Sequence, residues 1–75
     1  MKVLVFRTNI KGVDVIKIKP LLDAHMSIHK WSIDIADIDN VLRVETQYLN
    51  EIDIIDMIRK AGFECETLPD EMSVL

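Results

Sequence analysis

Few residues in this chain have the type to do chemistry. Cys65 is the single cysteine, and His25 and His29 are the two histidines. Asp14, Asp34, Asp37 and Asp39 add carboxylates. Soft metals take thiolate and thioether, imidazole suits zinc and copper, and carboxylate oxygen suits hard cations. On one continuous helix His25 and His29 would stand on the same side and suit a metal pair. Met26, Ser27 and Ile28 instead read as the passage from a helix to a strand. Asp34, Asp37 and Asp39 have the types for a hard-cation loop. An EF-hand needs a central glycine and a terminal glutamate at fixed spacing, and both are missing, so the aspartates read as a solvated turn. Cys65 lies between apolar positions, where a cysteine ordinarily packs as a small hydrophobe. An alternative reading takes Asp14, His25, His29 and Cys65 as non-standard metal ligands.

No serine or cysteine has a base at a diagnostic spacing. Two glycines in the whole chain leave little from which to build a phosphate-cradling loop. Carboxylates are abundant, but in an acidic protein abundance is weak evidence for acid–base catalysis. No catalytic residue is assigned, the expectation is a non-enzyme, and no cofactor motif is present.

The chain has 75 residues, 49% of them hydrophobic, which fits one small domain with a single core. Nine basic against thirteen acidic residues give a net charge of -4. This argues against a general nucleic-acid binder, which needs a basic patch. One cysteine permits no internal disulfide. Met1 to Phe6 is too short for a signal peptide, and no apolar run approaches a membrane span. The expectation is a cytoplasmic protein without membrane insertion.

The elements that must position these residues follow from periodicity. Ile28 to Thr46 reads as a hairpin: Trp31, Ile33 and Ile35 alternate with Ser32, Asp34 and Ala36, and Leu42, Val44 and Thr46 alternate with Val41, Arg43 and Glu45. Asp37, Asp39 and Asn40 have the side chains for the turn between them. Val3 to Phe6 reads as a central strand, with Leu4 and Phe6 toward the core. Gly12 to His25 reads as a first helix with Val15, Ile18, Leu21, Leu22 and His25 on one side; either it kinks at Pro20, the preferred reading because the apolar spacing begins earlier, or the ordered helix starts near Lys19 with Pro20 in its first turn.

The second helix has Asn50 as N-cap, Asp53 placed for a capping box, and Leu49 with Ile54 as a staple. Its stripe is Ile54, Ile55, Ile58 and Ala61. Arg59 and Lys60 suit its last turn, and Gly62 a left-handed exit. Phe63 to Leu68 reads as a closing strand stopped by Pro69. The domain is expected over residues 1–69, with a loose tail over 70–75. Strand, helix, strand, strand, helix, strand is the order of the α+β ferredoxin-like βαββαβ sandwich, a four-stranded antiparallel sheet with two helices on one face.

Over roughly Met1 to Leu68 the chain resembles the small heavy-metal-associated domain of copper chaperones and metal-transporting ATPases. The resemblance rests on the opening strand, Ile18 with Leu21 and Leu22, and the Trp31-to-Ile35 strand ending near acidic residues. Ile54, Ile55, Ile58, Gly62 and Phe63 complete it at the closing helix. Members of that family usually bind a soft metal through Cys-x-x-Cys at the start of the first helix. Aligned without gaps from Leu22, those positions fall on Lys11 and Asp14, and the methionine that usually precedes them falls on Asn9. The resemblance thus implies the fold, in a divergent member that lacks the metal motif.

The expected function is a non-catalytic protein-interaction or self-associating domain, with a homodimer or another protein as partner. Its candidate face is the side of the sheet away from the helices, where Val3, Val5 and Val41 would gather with Arg7 and Arg43. The alternative is a metal carrier with non-standard ligands.

Overall fold

The computed structural model describes residues 1–68; the expected stop at Pro69 and the tail over 70–75 lie outside the described residues. The elements are β1 (Lys2–Thr8), a 3-10 turn (Gly12–Asp14), α1 (Val15–Asp23), β2 (Ile28–Asp34), β3 (Val41–Thr46), α2 (Glu51–Lys60) and β4 (Cys65–Thr67). The four strands form one antiparallel sheet in the order β2-β3-β1-β4. Together with the two helices this is the ferredoxin-like sandwich.

Register explains why both helices share a face. Leu4 lies opposite Val44 and Phe6 opposite Leu42. Directly opposed residues point the same way, so these four make one apolar surface. Ile18 and Leu22 of α1 and Ile54 and Ile58 of α2 join them in a single buried cluster.

α2 is built by its ends. The Asp53 carboxylate accepts from the Asn50 N–H at 2.8 Å. Asn50 is the N-cap and forms the capping box with Asp53, and its side-chain oxygen also accepts from the Lys2 ammonium at 3.1 Å. At the other end Gly62 has φ +98°. The Gly62 N–H donates to the Arg59 carbonyl at 2.9 Å and the Phe63 N–H to the Ile58 carbonyl at 3.2 Å. That is a Schellman closure, which a glycine in the left-handed region permits without strain.

α1 is shorter than the periodicity predicts. Residues 12–14 are a separate 3-10 turn, and α1 proper runs from Val15 through Pro20 to Asp23. Pro20 lacks the N–H that would reach the Ile16 carbonyl, and Ile16 is exposed, so the missing bond falls on the solvent side of α1. Leu21 is exposed rather than part of the buried stripe, and His25 lies beyond the helix. The closing strand is also shorter than Phe63 to Leu68. Phe63 instead packs on the core from the loop before β4.

Candidate functional site

The Lys11 and Asp14 positions lie where β1 gives way to α1. The β2–β3 turn and the start of β4 come to the same end of the sheet. Thr8 holds them together: its hydroxyl donates to the Asn40 carbonyl at 2.7 Å and accepts from the Ile10 N–H at 3.2 Å. Asn40 adopts φ +46°, which asparagine tolerates better than most residues, and its side-chain amide donates to the Ile10 carbonyl at 2.7 Å. The Asn9 side-chain oxygen accepts from the Glu64 N–H at 2.8 Å, tying the loop to the approach to β4.

Lys11 and Asp14 are engaged with each other. The Lys11 N–H donates to the Asp14 carboxylate at 3.2 Å, and the Asp14 N–H to the Lys11 carbonyl at 2.8 Å. The Lys17 ammonium lies 3.5 Å from the other Asp14 oxygen. The turn therefore closes on its own polar groups.

Cys65 lies opposite Thr8 on β1 and is buried. Burial pushes its thiol from 9.0 up to about 11, partly offset by the Arg59 guanidinium. An open groove of about 580 Å³ runs past it, lined among others by Asn9, Arg59, Phe63 and Glu64. The Cys65 thiol is thus held protonated, a poor metal ligand and a poor nucleophile. His25 is occupied otherwise: its Nδ1 accepts from the Ser27 N–H at 3.2 Å. His29 lies beyond the far end of α1, at the start of β2. Among the described residues no three histidine, cysteine, aspartate or glutamate side chains are grouped to hold a metal ion. The structure does not bring Asp14, His25, His29 and Cys65 together.

The aspartates after β2 serve the turn itself. Asp34 accepts from the Ala36 N–H at 3.1 Å and Asp37 from the Asp39 N–H at 2.9 Å. Asp39 pairs with Arg7 at 3.5 Å.

The sheet face away from the helices differs from the expected apolar patch. Val3, Val5 and Arg43 do alternate away from the core, with Val5 opposite Arg43. Val41, however, is only 5% exposed and offers nothing to a partner. One step beyond the Phe6–Leu42 pair it stands beside Arg7, whose head pairs with Asp39 and, at 3.6 Å, with Glu66. Long arginine stems cover apolar surface in this way. In the same layer Glu45 stands between Lys30 on one side and Val3 on the other. The face carries Arg7, Lys30, Arg43, Glu45 and Glu66 around two valines, Val3 and Val5.

Val3 is exposed on this face, and further exposed apolar residues lie elsewhere. Val13, Ile16 (75% exposed), Ile35 and Ile38 (96% exposed) belong to the 3-10 turn, the start of α1 and the β2–β3 turn. The two segments meet at Gly12, where an added Cβ would come within 3.0 Å of the Ile35 side chain. This cluster is missing from the sequence reading. Its signal is visible once the helix stripe is drawn: Ile16 falls off the Val15–Ile18–Leu22 side, and Ile38 stands in a polar turn with no strand face to fill.

No family model and no curated protein matches the sequence. Solved structures do match its shape. A chain of the Atx1–Cu(I)–Ccc2a complex superposes with a TM-score of 0.78 at 20% identity, covering 93% of this chain and 99% of that one. The yeast copper transporter domain Ccc2a, solved in apo and Cu(I)-loaded states, gives 0.76 at 20% identity over 91% of this chain and 96% of its own. A second structure of Ccc2a gives 0.74 at 21% identity, with coverages of 93% and 99%. The chain has the fold of the copper-chaperone-like heavy-metal-associated domains, with one cysteine in its whole sequence.

Proposed function

We propose that this chain is a non-catalytic, self-associating protein-interaction domain of the cytoplasm that docks through Val13, Ile16, Ile35 and Ile38. The observation that carries the proposal is that four exposed aliphatics belong to two segments at one end of the sandwich, which meet where the Ile35 side chain stands over Gly12. Beside them the polar groups of the Lys11–Asp14 turn are already satisfied. Such a surface gains by excluding water and has few polar groups to desolvate. A matching fold occurs in a complex of two proteins, Atx1 and Ccc2a, which supports a protein partner. The lone buried thiol, with no cysteine to pair with, fits a reducing compartment.

Sedimentation over a range of concentrations tests the reading. The mass should rise from 8.7 kDa toward twice that value as concentration increases. Added salt should strengthen association, because the copies carry like net charge and dock through apolar surface. Val13→Asp with Ile16→Glu should restore the monomer without unfolding it, since both side chains stand in solvent. A mass that stays at 8.7 kDa at every concentration would reject self-association.

A further inference from the structure

The opposite end of the sheet, where β1 and β2 begin and β3 ends, has a different chemistry. Its groove, about 350 Å³, is lined by Met1, Met26, Ser27, His29, Gln47 and Tyr48. Two of the chain's four methionines and one of its two histidines line this one depression. Neither methionine fills the core: Met26 is 99% exposed and Met1 is exposed as well. His29 stands at the β2 irregularity, where the pairing jumps from Ile28–Thr46 to Lys30–Glu45. A bulge of this kind takes one residue out of the ladder and re-aims its side chain. His29 is exposed, whereas His25 has Nδ1 occupied by the Ser27 N–H. The Thr46 hydroxyl donates to the Ser27 carbonyl at 2.6 Å and fixes the loop that carries Met26.

We propose that this groove is a binding site for a soft monovalent cation, Cu(I) or Ag(I), held by the thioether sulfurs of Met1 and Met26 and an imidazole nitrogen of His29. Two polarizable sulfurs and one nitrogen suit such an ion. No carboxylate lines the groove, so calcium and magnesium lack the oxygen ligands they require. Methionine has three rotatable bonds and converges on an ion without backbone movement. Ordering two exposed methionines costs side-chain entropy, and no thiolate contributes, so binding is weaker than at a paired-cysteine site. β1 spans about 20 Å, from its start at this groove to Thr8, which faces Cys65. The two sulfur chemistries are therefore at opposite ends, and the site is independent of the self-association reading.

The test is titration of Ag(I) into protein carrying 13C-methyl methionine, followed by NMR under reducing, chloride-free conditions. The methyl signals of Met1 and Met26 and the His29 ring signals should move together and saturate at one equivalent. Met57, which packs on the core from α2, serves as internal control and should stay put. Met26→Leu and His29→Gln, both at exposed positions, should each weaken binding at least tenfold, and Cys65→Ser should leave the methionine shifts unchanged. Three results would each overturn the proposal: silver taken up at Cys65 with the Met1 and Met26 methyls unmoved, a shift at Met57 equal to those at Met1 and Met26, or affinity indifferent to both His29→Gln and Met26→Leu.

Discussion

The two ends of the sheet are each pinned by a buried threonine, and they differ in what is left over. Thr8 and Thr46 are the buried polar side chains among the described residues, and both point into the core face. Thr8 donates to Asn40 and accepts from Ile10; Thr46 donates to Ser27 and accepts from the Leu49 N–H at 3.3 Å. Each hydroxyl thus joins two loops that would otherwise end in unpaired backbone groups. At the Thr8 end, Asn9, Asn40, Lys11 and Asp14 add further ties, and the side chains left outside are aliphatic. At the Thr46 end the loop exposes Met26 and His29 instead. The same clasp serves two ends with different chemical surfaces.

The largest expected effect is on the thiol. With the Cys65 pKa near 11 instead of 9.0, the thiolate fraction at neutral pH falls by roughly a hundredfold. Alkylation by iodoacetamide at pH 8 should therefore be slow in the native protein and fast in denaturant. Because the thiol is raised on folding, the unfolded chain releases its proton first. Stability is then full below about pH 9 and declines as pH rises toward 11. Fast alkylation of the native protein at pH 8 would show that the Thr8 end opens to solvent, against the tight packing described for it.

Thr8→Val and Thr46→Val come next. Valine keeps the shape but leaves two backbone groups without partners, so each variant should lose about 1–3 kcal/mol in denaturant unfolding. Hydrogen exchange should separate them. Thr8→Val should speed exchange at Ile10, and Thr46→Val at Leu49, with each end indifferent to the other variant. Cross-talk between the ends would mean that they do not open independently.

What the sequence made legible has a local cause. Asn50, Asp53, Arg59, Lys60 and Gly62 act within one helix, and all were readable; the further contact of the Asn50 side chain with Lys2 crosses to β1 and was not. Leu4, Phe6, Leu42 and Val44 followed from period two. Val41 was not readable, because its burial depends on the register beside Arg7 and on where the Arg7 head is drawn. The grouping of Met1, Met26 and His29 was not readable either, since it depends on the crossing order that sets β1 beside β3 and β3 beside β2. The failure of Asp14, His25, His29 and Cys65 to meet has the same origin: two of these sites belong to one end of the sheet and two to the other.

The caps give a smaller contrast. Asp53→Ala removes the acceptor of the Asn50 N–H and a negative charge from the first turn of a ten-residue helix, and should cost about 0.5–2 kcal/mol. Asp14→Ala removes the acceptor of the Lys11 N–H beside a three-residue 3-10 turn. The exposed Lys11 N–H then turns to water, so the loss should be smaller. Thermal unfolding of both variants measures the order, and a larger loss for Asp14→Ala would make the Lys11–Asp14 turn a structural keystone.

The smallest effect is expected for Arg7→Gln, and it bears on which surface is open to a partner. Arg7 is half-exposed and reaches Asp39 at 3.5 Å and Glu66 at 3.6 Å, so it joins the β2–β3 turn to β4 across the sheet face. Exposed pairs at such distances contribute about 0–1 kcal/mol and are screened by salt. Glutamine keeps most of the stem that stands beside Val41, so the variant should lose a few tenths of a kcal/mol at most. The difference from wild type should vanish in high salt. If the charged face takes no partner, self-association should be unchanged in this variant, while Val13→Asp with Ile16→Glu abolishes it. If Arg7→Gln instead changes the dimer equilibrium as much as that double variant does, the Val3–Val5 side of the sheet is the docking surface, and the aliphatic cluster at the Thr8 end is not.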